Sequence, residues 1–155
     1  MNTRTTSLPV FCLLSFCFLT SQALSAQVND TTSIKQVIEK YIVGWRTGDS
    51  TLLREAFDLD AGVVFWVDRK GETEQLKSMK LSALTNRGKK QPDYGIGYTI
   101  QNLQIIDNKL AIAMVKIPLK ESHYMDCLEL QKMNEDWKIV LKSYVYFPKK
   151  LAPKN

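Results

Sequence analysis

Hydrophobic positions along the chain change their period three times, and the changes divide it into elements. Ile34, Val37, Ile38, Tyr41, Ile42 and Trp45 recur at i, i+3, i+4, i+7, i+8 and i+11, one apolar stripe of an amphipathic helix. Asp30-Thr31-Thr32-Ser33 ahead of it offers N-cap side chains, and Gly48 is a stop. Asp49 or Ser50 then caps a short second helix with Leu52, Leu53, Ala56 and Phe57 on its apolar side. Val63 to Val67 is a β-rich run and predicts a strand, with Phe65 and Trp66 on opposite faces. Glu74 to Thr85, with Leu76, Met79, Ala83 and Leu84 at helical spacing, predicts a third helix. Four strands follow: Tyr98 to Ile106, Leu110 to Leu119, Ser122 to Met133 and Trp137 to Phe147. Asp107-Asn108-Lys109 and Asn134-Glu135-Asp136 are turns of the kind that join antiparallel neighbours. The order α-α-β-α-β-β-β-β predicts an α+β fold, with helices on one face of an antiparallel sheet.

The N-terminus follows a different logic. Arg4 precedes the short apolar run Val10 to Leu19, and small residues follow at Ser21, Ala23, Ser25 and Ala26. This reads as a secretory signal peptide over residues 1–26, cleaved after Ala23 or Ala26. The run is too short to span a bilayer, and no second one of spanning length follows, so the expectation is a secreted or periplasmic protein that leaves the membrane once the signal is removed. The remaining organisation is one domain over 27–148 and a basic tail over 149–155.

Composition is then read on the processed chain. The full sequence has 155 residues, net charge +5 and three cysteines. Loss of the leader removes Arg4, Cys12 and Cys17, leaving a charge of +4 and Cys127 alone. No intramolecular disulfide is then possible, and Cys127, inside a strand, is expected to be buried and inert. The excess charge sits at Arg87, Lys89 and Lys90 in one loop and Lys149, Lys150 and Lys154 in the tail. A near-neutral body with a basic tail argues against a nucleic-acid partner. One His and one Cys fall short of a zinc ligand set, so no metal is expected. Neither a glycine-rich phosphate loop nor a Gly-x-Ser-x-Gly elbow occurs, and no cofactor is expected.

Element order and local sequence together resemble a known family. Ile38-Glu39-Lys40-Tyr41-Ile42-Val43-Gly44, Gly48-Asp49 and Leu53-Arg54-Glu55-Ala56-Phe57 come early. Met125 to Leu130 and Trp137 to Tyr144 come late. The pattern resembles the nuclear transport factor 2-like superfamily, and within it the putative lumazine-binding group of small exported bacterial proteins. The resemblance implies a cystatin-like cone, three helices on a strongly curved antiparallel sheet, with a cavity between the first helix and the concave face.

Such cavities host binding or acid–base chemistry, so the residues must decide. Tyr41 and Trp45 lie four apart on one helical face and can wall a flat ring, as can Phe57, Trp66 and Tyr144. Ordinary core packing is the competing reading for each. Asp126 shares a strand face with Tyr124, Leu128 and Leu130, which turns a carboxylate inward. There it is a general base, a polar anchor for a ligand, or an Asp satisfied by a neighbouring Tyr or backbone N–H. His123 alternates to the other face with Met125, Cys127 and Glu129. Enzymes similar to ketosteroid isomerase carry an acidic base on the strand after the second helix. Here that strand, Val63 to Val67, holds none.

The leading expectation is an exported domain binding a small aromatic or heterocyclic molecule through Tyr41, Trp45, Phe57, Trp66, Asp126 and Tyr144. A second is a small isomerase, dehydratase or hydrolase with Asp126 as its candidate catalytic base. A third is a module that forms a homodimer through the apolar second face of its sheet.

Overall fold

The computed structural model describes residues 11–68, 74–85 and 97–148, with side chains from Asn29 onward. The basic loop at Arg87 to Lys90, the turn at Arg69 to Gly71 and the tail from Lys149 lie outside the described residues, as do residues 1–10 of the expected signal segment. Three helices, α1 (Phe11–Thr47), α2 (Ser50–Ala56) and α3 (Leu81–Thr85), accompany six strands. These are β1 (Val63–Asp68), β2 (Gln75–Lys80), β3 (Thr99–Ile106), β4 (Leu110–Pro118), β5 (His123–Met133) and β6 (Asp136–Phe147). No described helix is long and apolar enough to cross a membrane.

The stripe on α1 is the core stripe. Ile34, Ile38, Tyr41 and Ile42 are all buried. Capping by Asp30 to Ser33 is not observed. The helix passes through these residues unbroken, so their amides have partners in the preceding turn. Asp30 turns instead to the far end of the sheet, as described below. Gly48 ends α1 in the left-handed region, at φ 75°, which a Cβ would strain. Asp49 then caps α2, its Oδ1 accepting from the amides of Thr51 at 2.8 Å and Leu52 at 3.2 Å.

The sheet order is β2-β1-β6-β5-β4-β3. All neighbours are antiparallel except β1 and β6, which run parallel from Val63↔Leu141 to Trp66↔Tyr144. The parallel pair joins the first strand to the last, with β2 to β5 between them in sequence, and the turn after α2 is tied to β6 by Asp58 N–H donating to Ile139 O at 3.0 Å. Both predicted turns carry positive φ, at Asp107 and Asn108 and at Asn134 and Glu135, the geometry that lets two residues close a right-twisted hairpin.

The helix predicted over Glu74 to Thr85 is corrected. Residues 75–80 form β2, an edge strand paired with β1 from Val63↔Lys80 to Asp68↔Gln75, and only Leu81–Thr85 is helical. Leu76 is largely exposed, so the apparent stripe with Met79 was fortuitous. The free edge of β1 supplies six residues' worth of ladder partners that a helix could not use. Gly62 fixes the join between β1 and α3. A Cβ there would stand 2.3 Å from Asp58 O and from Leu81 Cδ1, and the Leu81 amide donates to Gly62 O at 2.8 Å.

The inner face of the sheet is dry at one end: Ala111, Ala113, Leu128, Leu130, Trp137 and Ile139 are buried against α1. The outer face is half apolar, with Ile112, Met114, Val145 and Phe147 exposed. His123 lies on this outer face and stacks on Phe147 at 4.8 Å. Cys127 is free and half-buried there, rather than fully buried, because it alternates with the inward Asp126.

Candidate functional site

Simple alternation along β6 fails, and the failure builds the site. Trp137 and Ile139 face inward and are buried. Continued at period two, Leu141 would follow and Lys142 would point out. A bulge interrupts the β5–β6 ladder: Leu130 pairs with Ile139 but Glu129 pairs with Leu141, so Val140 has no partner of its own. Beyond it the parity is reversed, and Lys142 and Tyr144 turn inward beside Leu128 and Asp126, their cross-strand partners.

A cavity of about 250 Å³ opens at this end. Helix α1 contributes Tyr41, Gly44 and Trp45 to its wall. The sheet contributes Tyr124 and Asp126 from β5 and Lys142 and Tyr144 from β6. Met79 of β2 and Leu84 of α3 complete an apolar side. The rings meet edge to face: Trp45 and Tyr124 at 5.9 Å and 86°, Tyr124 and Tyr144 at 5.6 Å and 78°.

Its polar centre is one carboxylate with two donors. Asp126 is fully buried, and its Oδ2 accepts from the Tyr41 hydroxyl at 2.6 Å. The same oxygen holds Lys142 Nζ at 2.6 Å. Lys142 is itself buried, with Nζ 4.6 Å from the Tyr144 ring centre and 5.5 Å from that of Tyr41. Asp126 Oδ1 has no hydrogen-bond partner among the described residues. A buried carboxylate oxygen in that state is an acceptor awaiting a donor.

Burial acts on both donors. It pushes the Tyr41 phenol well above its ordinary value of 10.0, and the Asp126 charge beside it adds to the rise, so Tyr41 stays neutral and remains a donor. For Lys142 burial pulls the ammonium below its ordinary 10.5, and Asp126 opposes this without cancelling it. The group is therefore a lysine held closer to its free-amine form than a surface lysine.

Four of the six residues expected at the site are brought together: Tyr41, Trp45, Asp126 and Tyr144. Two are not part of this wall. Phe57 is buried behind Tyr41, ring to ring at 5.2 Å, because the turn after α2 tucks it into the core. Trp66 shares the inward face with Val64 but sits one residue pair beyond, stacked on Tyr144 at 6.3 Å. Lys142 was missed. The signal was present in principle, since an inward Asp126 calls for a cation, but the parity of β6 hid it.

Helices packed on one face of a mixed sheet, with an aromatic cavity beside the first helix, define a nuclear transport factor 2-like domain. Solved structures bear out the fold. An NTF2-like protein from Shewanella baltica OS155 matches at 24% identity and TM-score 0.66, over 79% of this chain and 97% of its own. An NTF2-like protein from Methylobacillus flagellatus KT matches at 20% and 0.62, over 77% and 93%. A cystatin-like fold protein from Burkholderia xenovorans LB400 matches at 8% and 0.58, over 79% and 95%. The chain belongs to the family described as "Putative lumazine-binding", whose profile matches residues 29–145. No curated protein matches it.

Proposed function

We propose that this protein is an exported small-molecule-binding domain whose cavity takes a planar aromatic or heterocyclic ligand of one or two rings. The observation that carries this is the Asp126–Lys142 pair at the centre of an aromatic wall, with Asp126 Oδ1 unpaired among the described residues. A ring that offers an N–H or O–H would satisfy that oxygen, and its faces would meet Trp45, Tyr124 and Tyr144. The cavity volume, about 250 Å³, lies just below the usual range for drug-sized ligands and favours a small one. The family description is consistent with a heterocycle of the lumazine kind.

The test is titration with lumazine, riboflavin and simple pterins, following Trp fluorescence and melting temperature. Trp45 lines the cavity, so quenching is expected, with stabilisation near 2.7 kcal/mol at roughly a hundredfold excess over Kd. Replacing Trp45 by Phe removes most of the quenching and keeps the thermal shift. Absence of both signals with every compound refutes the reading.

Export belongs to the same proposal. Cleavage after Ala23 or Ala26 leaves Asp30 within the first turns of α1, where an acidic side chain suits the helix dipole. Mass determination of the N-terminus of the protein recovered from the cell exterior or periplasm checks it; an intact Met1 in that fraction argues against it. The exposed Ile112, Met114, Val145 and Phe147 on the outer sheet face favour coverage by a second copy. Sedimentation is expected to give a dimer that Met114→Asp weakens.

A further inference from the structure

Lys142 is a buried lysine on the wall of a cavity, next to a carboxylate that can take its proton and a phenol that shares the same oxygen. That combination does more than bind. We propose that Lys142 forms a reversible imine with small aromatic aldehydes or ketones that enter the cavity. The proposal deepens the reading of this cavity as a small-molecule site and rests on it.

Three features of the site serve that chemistry. The nucleophile must be available as a free amine, and burial among Tyr41, Tyr144 and Leu128 disfavours its charge. The charged and titratable groups that face it are Asp126 and Tyr124 on β5, Tyr144 on its own strand, and Tyr41 with Arg46 behind it on α1. Among the described residues Asp126 is the one close enough to exchange a proton directly, at 2.6 Å. The electrophile must be held flat near Nζ, and the aromatic walls suit a carbonyl conjugated with a ring. Space is sufficient: an apolar cavity of roughly 150 Å³ admits benzene, and this one is about 250 Å³.

The steps balance without any oxidant or reductant. Asp126 Oδ2 takes a proton from the Lys142 ammonium. The freed nitrogen lone pair attacks the carbonyl carbon, a C–N bond forms, and the C=O π pair moves to oxygen, which takes the proton back from Asp126. The carboxylate next removes a second proton from nitrogen and delivers it to the hydroxyl. That group leaves as water while the nitrogen lone pair closes the C=N bond. An ammonium and a carbonyl become an iminium and one water, and the iminium charge stands beside the ionised Asp126. Tyr41, donating to the same Oδ2, steadies the carboxylate through each transfer.

The experiment traps the imine. The full chain is incubated with benzaldehyde and sodium cyanoborohydride near neutral pH, then peptide-mapped over time. The expected result is one benzyl group on Lys142, appearing faster than on exposed lysines such as Lys35 or Lys109, because burial holds its nitrogen nearer the free-amine form beside the proton-accepting Asp126. Lys142→Arg keeps a cation against Asp126, should melt close to the parent protein, and should lose the fast label. Labelling spread evenly over exposed lysines, or a fast label that persists in Lys142→Arg, overturns the proposal. The heterocycle titration is run on the same preparation. Quenching without Lys142 labelling overturns the imine alone, whereas neither signal overturns the cavity reading as well.

Discussion

Two buried aspartates in this domain have the same kind of partners and opposite consequences. At the dry end of the sheet Asp30 of α1 accepts from Trp137 Nε1 at 3.0 Å and holds Lys132 Nζ at 3.0 Å. At the cavity end Asp126 accepts from Tyr41 and holds Lys142, both at 2.6 Å. Each is an aspartate, an aromatic donor and a lysine. The difference lies in the lysine. Lys132 comes in from the surface, one-fifth exposed, and also reaches Glu135 at 3.1 Å. The hydrogen bonds that Lys132 donates to Asp30 and Glu135 push its pKa up. Lys142 has no such outlet, and burial pushes its pKa down. The same ion pair is a clamp where the cation lies partly in bulk solvent, and a pair with a weakened cation where burial at the cavity wall strips most of that solvent away.

Removing each lysine tests this contrast most directly. Lys142→Met strands the Asp126 charge in the interior and is expected to cost about 3–5 kcal/mol in urea unfolding. A loss below about 1 kcal/mol would mean that Asp126 is already satisfied without it. Tyr41→Phe removes a buried donor to a charged acceptor and should cost about 1.5–3 kcal/mol by the same measurement. Lys132→Met should cost clearly less than Lys142→Met, because its ammonium reaches solvent and Asp30 keeps Trp137. Equal losses at Lys132 and Lys142 would mean that the two ion pairs do not differ.

The smallest effect is in alkali. Tyr41 ionises near 10.0 in the unfolded chain but well above that when folded, so above pH 10.0 the native state holds more protons and stability falls as pH rises. Lys142 works the other way. Its folded pKa lies below the unfolded 10.5, so between the two the unfolded chain holds more protons and stability rises with pH. Urea midpoints measured from about pH 8 to 11 should show Tyr41→Phe flattening the alkaline fall and Lys142→Arg removing the rise that precedes it. An alkaline limb unchanged in Tyr41→Phe would show that another group controls it.

Much of the architecture was legible because it obeyed a single period. The α1 stripe from Ile34 to Trp45, the Asp49 cap, β1 and the two hairpin turns all stood where propensity and pattern put them. Asp126 was legible for the same reason, since Leu128 and Leu130 fix its side of β5. What could not be read was non-local. Residues 75–80 are an edge strand only because β1 lies beside them, and their exposure leaves no alternation to detect. Lys142 was hidden by a one-residue irregularity in pairing that no periodicity of β6 alone displays. Phe57 and Trp66 had the right chemistry, but their distance from the cavity was set by how the turn after α2 and the parallel β1–β6 pair pack.

Val140 has little side-chain chemistry of its own, yet much depends on its standing outside the ladder. Drawn into it as an ordinary pair, with every residue still in the chain, it would let β6 run past β5 in unbroken alternation, turning Lys142 and Tyr144 to the outer surface and Leu141 and Ser143 inward. Deleting it would remove the bulge and leave Lys142 and Tyr144 facing in. The character of the interior is thus encoded partly in a pairing register. A frame of one residue separates a charged, aromatic chamber from a plain hydrophobic one, and composition is blind to the difference.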